Sequence, residues 1–257
     1  MAPPRSPGLK PTPMPDRGSA PIAALLADAA WTRARPRTLV DHAVDAVLSA
    51  ASRGLILPGD RLIEPELALH LGMSRVPIRE ALRILESQGV VVSEPYKGIR
   101  LMEVSAARLD HLIDVRVPLE TLACRRAIEA GRNGAHQIAA LNAAIAELEL
   151  MRQREDVFGF ATADTAFHRT LCGFCQNPVL GMLWESIARQ LTVIFGLSTM
   201  GKPMSTIVDE HRRLAAVFET GDVAAMDREL EEHIRVQALD VNYEAIIEQH
   251  RAARRKR

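Results

Sequence analysis

From Ser105 to Gln249 no stretch of the chain alternates apolar and polar residues; apolar positions recur instead every three to four residues. Helical patterns run over 105–130, 135–154, 157–176, 178–198, 204–219 and 222–249. They are broken at Gly131/Gly134, Asn177-Pro178, Gly201/Pro203 and Gly221-Asp222. Amphipathic helices with such short links hide their apolar stripes against one another, so residues 105–250 are predicted to form an all-helical antiparallel bundle. No fixed-period repeat is present.

Ahead of that bundle the pattern is different. Leu39, Ala43, Ala46, Val47 and Ala50 recur at helical spacing and Gly54 closes the run. After the turn "LPGD" comes a short helix opened by Pro65 and ended by Gly72. A third helix lies in "MSRVPIREALRILESQGVV", with Ser74 as N-cap, Pro77 in the first turn, and a stripe of Ile78, Ala81, Leu82 and Leu85. "VVVSEPYKGIRLMEV" reads as two short strands about a Pro-Tyr-Lys-Gly turn. Three helices and a hairpin over 38–104 describe a winged helix-turn-helix, so the whole chain is expected to be mainly α.

Lys plus Arg and Asp plus Glu both number 32 in 257 residues. The zero net charge hides an asymmetry. Residues 1–37 carry +4, 38–104 carry −2, 105–250 carry −7 and 251–257 carry +5. The first 37 residues also hold eight of the fifteen prolines, which marks them as a disordered basic arm, with Ile22–Trp31 able to turn helical on a partner. The last seven read as a basic tail. Three cysteines and no secretory leader point to a reducing cytoplasm, and no apolar run approaches the roughly 18 residues a membrane span needs.

Arg75, Arg79 and Arg83 are spaced by four on the third helix. Each step drifts only about 40°, so the three share a face away from the apolar stripe. Guanidinium groups presented from a helix N-terminus suit guanine edges in a major groove, and the amide groups beside Ser74 suit a phosphate. Lys97 and Gly98 at the hairpin tip suit a neighbouring minor groove. Ser74, Arg75, Pro77, Arg79, Arg83, Lys97 and Gly98 are the expected DNA-binding set. The other reading is a solvated face in which the arginines pair with Glu80 and Glu86.

Asp164 and His168, four apart, project from one side of the third bundle helix, while His211 lies in the fifth and His233 in the sixth. One carboxylate and three imidazoles from three helices can close around a divalent cation and leave positions for water or a ligand carboxylate. An Asp-x-x-x-His pair also occurs as a plain surface pair, and His233 within "RELEEHIRV" reads equally as a surface group. Cys172-x-x-Cys175 lacks the second pair a four-sulfur site needs and is read as two small buried residues.

These motifs carry a family resemblance. "LPGDRLIEPELALHLGMSRVPIREALRILESQGVVVSEPYKGIRL" resembles the DNA-binding domain of GntR-type bacterial transcription regulators over Leu57–Leu101. Residues 105–250 are similar to the FCD effector domain of the FadR subfamily, through "DVRVPLETLACRRA", "DTAFHRTL", "DEHRRLAAVFETGD" and "MDRELEEHI". The resemblance implies that Arg75 and Arg79 contact bases or phosphates with Lys97 and Gly98 assisting. It implies that Asp164, His168, His211 and His233 hold Zn, Ni or Mn, that the metal helps hold an organic-acid effector, and that Arg116 faces the effector pocket. Arg116 also reads as a surface ion pair with Glu120, one turn on. One departure stands out: some members place an arginine at the start of the short helix, where this chain has Glu64-Pro65-Glu66.

The expectation is therefore a cytoplasmic, nucleoid-associated bacterial repressor, not an enzyme. It acts as a homodimer on the palindromic half-sites of a double-stranded DNA operator under the control of a small carboxylate, with no membrane partner. Two rival readings are a metal-dependent hydrolase-like bundle and an architectural DNA-binding dimer without effector.

Overall fold

The computed structural model describes residues 38–236 and 241–256; the arm expected over 1–37 lies outside the described residues. Helix α1 (Leu39–Ser52) opens on a capping box: Asp41 N–H donates to Thr38 Oγ1 at 3.1 Å, and the Asp41 carboxylate accepts from Thr38 N–H at 2.9 Å. Its buried side is Ala43, Val44, Val47, Leu48 and Ala51. Helix α2 (Glu64–Leu71) starts with Pro65 in its first turn and stops at Gly72, whose φ of 62° is the left-handed conformation that glycine adopts without strain. Helix α3 (Arg75–Ser87) buries Ile78, Ala81, Leu82 and Leu85, the expected stripe.

Strands β1 (Val91–Glu94) and β2 (Gly98–Leu101) pair antiparallel from Val91 with Leu101 to Glu94 with Gly98. Arg61 adds a single bridge to Arg100 on the free edge of the hairpin.

Helix α4 (Ala106–Glu129) is capped by Ser105, which accepts from Arg108 N–H, and runs through Pro118. Helices α5 (Ala135–Gln153), α6 (Val157–Gly173), α7 (Pro178–Ser198), α8 (Met204–Thr220) and α9 (Val223–Glu231) follow. Helix α5 lies on α6 and α8, and α6 on α7, while α4 crosses α6, α7 and α9. Phe160, Phe167, Phe218, Leu141 and Leu148 fill the centre, where dispersion contacts and lost water contact hold the layers together. Cys124, Cys172 and Cys175 are free thiols buried in this packing. Among the described residues no helix is long and apolar enough to cross a membrane.

Two expectations require correction. The last bundle helix does not run unbroken over 222–249. Helix α9 passes into a π-helical turn (Glu232–Val236), and a new helix α10 (Tyr243–Arg255) starts from Asn242, whose side chain accepts from Ala245 N–H at 2.9 Å. Asparagine is a strong N-cap, so a fresh helix start is favoured there over continuation. Nor does a separate basic tail begin at 251, because α10 carries through Arg255 and two of its arginines are anchored. Arg251 donates to the Pro58 carbonyl at 2.6 Å, and Arg254 donates to Asp60 at 2.6 Å and to the carbonyls of Gly54 and Leu55.

The winged helix and the bundle share apolar packing. Val193, Ile194 and Leu197 of α7, with Ile246 and Ile247 of α10, join the same buried cluster as Val44, Leu48 and Leu85. At the crossing of α1 and α7 a Cβ on Gly196 would collide with Ser52, so only glycine lets the two backbones approach this closely.

Candidate metal centre and DNA-reading face

On α3 the side chains of Arg75, Arg79 and Arg83 are exposed, opposite the buried stripe. They are not equally available. Arg83 pairs with Glu80 at 2.9 Å and Arg79 with Glu64 at 3.3 Å, while Arg75 pairs with no carboxylate among the described residues. Thus Glu64, in the Glu64-Pro65-Glu66 start of α2 where some family members carry an arginine, reaches across to one of the three arginines. Ser74 is exposed at the N-cap and its hydroxyl makes no capping bond, which leaves the first-turn amides open to an anion.

Pro77 does not belong in a DNA-contacting set. It is buried on the core side of α3, where its fixed φ helps to open the helix. At the hairpin tip Tyr96 is fully exposed and Lys97 pairs with Glu94 at 2.7 Å. Gly98 has φ 80°, and a Cβ there would press within 3.0 Å of the Arg61 guanidinium. The space that glycine leaves is therefore occupied by Arg61, a basic group the sequence pattern had not singled out.

The bundle brings together all four residues expected to bind metal. His168 Nε2 lies 3.1 Å from His233 Nε2 and 3.7 Å from Asp164 Oδ1, and His211 Nε2 lies 3.4 Å from Asp164 Oδ1. The ligand atoms of the three imidazoles all fall within 4.8 Å of one another. Two ligands bonded at about 2.0–2.1 Å to one ion stand about 3.0–3.4 Å apart, so little movement is needed to close this set on a cation.

Each ring is oriented from behind. His168 Nδ1 bonds Glu120 at 2.7 Å, and His211 Nδ1 donates to the Ile207 carbonyl at 2.8 Å, which turns both Nε2 atoms inward. Phe167 packs edge-on against both rings. Asp164 Oδ1 and His211 Nε2 are buried and lack a hydrogen-bond partner, as does Arg116 Nη2. Unsatisfied buried polar atoms are costly, and a cation with an anionic ligand would satisfy all three.

Burial, reinforced at His233 by the neighbouring imidazoles, holds the pKa of His168 and His233 below the ordinary imidazole value. Burial opposes a proton on His211 as well, but Asp164 beside it outweighs that and raises its pKa. Burial would raise Glu120, yet Arg116 and His168 pull it below the usual carboxylate range.

Glu120 was read only as a surface partner of Arg116; the pair is instead buried, Nε to Oε1 at 2.5 Å, with side-chain exposures of 6% and 0%. The available signal was that Ile113, Arg116, Glu120, Ala123 and Ala127 lie on one helical stripe, where two opposite charges four apart stand among apolar groups. The Arg116 guanidinium also lies over the rings of Phe195 and Trp184, at 5.0 and 5.7 Å. It faces a cavity of about 70 Å³ lined also by Asp164, His211, His233, Lys202 and Tyr243. Lys202 and Glu210 form a second ion pair on that wall, at 2.5 Å.

Residues 39–101 match the bacterial regulatory proteins of the gntR family, and residues 111–236 match the FCD domain. A probable D-xylose utilization operon transcriptional repressor of Paenarthrobacter nicotinovorans is 26% identical over 80% of this chain and 90% of its own length. An HTH-type transcriptional regulator of Agrobacterium vitis is 33% identical over 59% of this chain and 86% of its own. Among solved structures, E. coli McbR/YncC superposes with a TM-score of 0.63 at 22% identity, covering 82% of this chain and 98% of that one, which establishes the likeness of fold.

Proposed function

This chain belongs to the GntR family of bacterial regulatory proteins and carries an FCD domain, and we propose that it is a repressor whose grip on its operator is set by a small organic acid bound beside a divalent metal ion. The family and its relatives are transcriptional regulators, not enzymes. The observation that carries the proposal is the trio of buried atoms around one cavity that make no hydrogen bond: Asp164 Oδ1, His211 Nε2 and Arg116 Nη2. Asp164, His168, His211 and His233 would hold the ion; three imidazoles and a carboxylate suit Zn, Ni or Mn. A bound ion supplies positive charge and open coordination positions, and Arg116 supplies a directed donor for the acid's carboxylate.

Two connections between the cavity and the winged helix support control at a distance. Thr165, next to Asp164, shares a hydrogen bond of 3.0 Å with Thr192, whose carbonyl accepts from the Ser52 hydroxyl at 3.2 Å. Helix α10 contributes Tyr243 to the cavity wall, while Arg251 and Arg254 grasp the turn after α1. A ligand that fits one arrangement of these contacts better than another shifts the balance between them, and with it the spacing of the reading heads.

Two heads are required, since one winged helix reads one half-site. A homodimer is supported by exposed Val115 and Leu122 on α4 beside Val179, Met182 and Leu183 on the adjoining α7, an apolar face suited to a second copy. The protein would then work in the bacterial cytoplasm, on nucleoid DNA. Ser74, Arg75, Arg79 and Arg83 would meet the major groove, with Lys97 and Gly98 at the wing.

Metal analysis and calorimetry test the proposal. About one divalent ion per subunit is expected, with acids binding the metal-loaded protein more tightly than the chelated one and loosening its hold on operator DNA. Failure to take up any ion would reject the metal site, and equal affinities would reject the metal's share in holding the acid. Operator binding indifferent to every acid would leave an architectural DNA-binding dimer.

A further inference from the structure

An extended segment, residues 59–62, lies along the free edge of β2. Gly59 N–H donates to the Leu101 carbonyl at 3.0 Å, Leu101 N–H to the Asp60 carbonyl at 2.9 Å, and Leu62 N–H to the Ile99 carbonyl at 2.8 Å. These bonds fix Arg61 opposite Arg100. Like charges that face each other across a ladder are destabilising. Arg100 is half-buried and donates to the Gly59 carbonyl at 2.7 Å. Arg61 is exposed and pairs with no carboxylate among the described residues. Its neighbours along the chain and across the hairpin are engaged elsewhere: Asp60 by Arg254, Glu64 by Arg79 and Glu94 by Lys97.

The place of this guanidinium is set from two sides. A Cβ on Gly98 would stand 3.0 Å from Arg61 Nε, so the group lies against the bare backbone of the wing tip. Three residues on, Glu64 meets Arg79 of α3 at 3.3 Å, and three residues span at most about 11 Å. Arg61 therefore stands between the wing and the arginine face of α3, on the side where both would meet a duplex.

Resting on the DNA reading above, we infer that Arg61 is a further DNA-binding residue, whose guanidinium enters the minor groove beside each half-site and favours A·T pairs there. A guanidinium is more weakly hydrated than an ammonium, so it enters a narrow groove at lower cost. A·T-rich minor grooves are narrow and strongly negative, and draw an arginine in without a contact to one particular base. Gly98 puts no side chain between the guanidinium and the tip, which lets both approach together. Lys97 must leave Glu94 to bind a duplex; Arg61 has no such pair to break, and the polyanion would relieve its repulsion with Arg100.

The test is selection from a random-sequence duplex library with full-length parent, Arg61→Gln, Arg61→Lys and Arg75→Ala proteins. The parent is expected to recover half-sites flanked by A·T pairs. Arg61→Gln should recover the same half-sites without that enrichment, and should bind the parent's selected duplex about tenfold more weakly at matched salt. Its affinity for the same duplex with G·C flanks should change less than twofold, with the melting temperature unchanged. Arg61→Lys should restore little of the A·T preference, whereas Arg75→Ala should alter the half-site and leave the flanks. Equal weakening of Arg61→Gln on both duplexes, rescued by Arg61→Lys, would overturn the groove contact in favour of a phosphate contact. Equal weakening without rescue, together with a lowered melting temperature, would overturn it in favour of a prop for the wing. Affinity within twofold of the parent on both duplexes would remove Arg61 from the interface while leaving the reading helix standing. Failure of the parent to enrich any sequence would reject the DNA reading itself.

Discussion

On α3 the working groups stand in water, while in the bundle they stand out of it, and each surrounding assigns a different role to neighbouring carboxylates. Arg75, Arg79 and Arg83 are exposed, and the carboxylates near them, Glu64 and Glu80, make surface pairs of the kind worth 0–1 kcal/mol, easily exchanged for a phosphate or a base edge. Asp164, His168, His211 and His233 are buried, and the carboxylate behind them, Glu120, is fully enclosed between Arg116 and His168. A surface carboxylate leaves its arginine free to change partners. A buried one holds its partners in a fixed arrangement.

The sharpest way to break that contrast is to remove the enclosed carboxylate. Glu120→Ala leaves the Arg116 charge buried without its partner and His168 without its orienting acceptor. A loss of about 3–5 kcal/mol in unfolding free energy is expected from the uncompensated charge. The milder Glu120→Gln should keep the fold and lower metal affinity about 10–100-fold, the usual cost of losing such an outer partner. Chemical denaturation with metal titration reads both. An effect of Glu120→Ala no larger than that of Glu64→Ala, expected within about 1 kcal/mol, would erase the distinction.

At the exposed face the loss should appear in recognition and not in stability. Arg75→Ala and Arg79→Ala are each expected to reduce operator affinity by about 1–3 kcal/mol per half-site contact, doubled in a dimer, with the unfolding free energy within about 0.5 kcal/mol of the parent. Binding isotherms at matched salt measure this. Affinity within twofold of the parent for both variants would sink the reading-helix assignment.

Residues on the outside and the inside differed in the same way in how far they could be read from sequence. The stripe of Ile78, Ala81, Leu82 and Leu85 is a matter of local period, and so the arginine face opposite it was legible. Asp164 and His168 were legible as a pair for the same reason. Their meeting with His211 and His233 depends on how three helices pack, which spacing along one chain does not encode; family resemblance supplied it. Glu120 and Lys202 were missed because a charge on a helix or in a link looks solvated until the packing is known. Pro77 was assigned to the wrong side because a motif names its members without saying which way each one points. The π turn that carries His233 and the fresh start at Asn242 were invisible to a 3.6-residue period, which passes smoothly through both.

Proton linkage sharpens the picture of the buried cluster. The pKa of His168 and His233 is lowered in the fold, so their share of stability is complete above the ordinary value of 6.5 and falls as pH drops below it, because the unfolded chain takes the proton more readily. The pKa of His211 is raised, so its share is complete below 6.5 and is lost as pH rises through the folded value. Metal-free protein should therefore be most stable near pH 6.5 and lose stability on either side of it. A divalent ion holds all three rings neutral, so loading it should abolish the decline on the alkaline side. Melting curves across pH with chelator and with zinc check this; identical profiles would mean that the three rings do not act as one site.

The smallest expected effect concerns the arginines at the end of α10, which are intermediate between the two faces. They are basic like those of α3, but they are spent on protein: Arg251 on the Pro58 carbonyl, Arg254 on Asp60 and two more carbonyls. A tail that bound DNA through charge alone would release counterions, and cutting it would flatten the dependence of affinity on salt by roughly 0.9 in log–log slope per phosphate contact. Bound as they are, Arg251→Ala and Arg254→Ala together should leave that slope unchanged. They should instead lower the melting temperature by a few degrees, the consequence of about 1 kcal/mol from a half-exposed ion pair and its carbonyl contacts. Because α10 also walls the cavity through Tyr243, the double variant should weaken the link between acid binding and operator release while sparing acid affinity. A flattened salt slope with an unchanged melting temperature would return these residues to the DNA-binding side of the comparison.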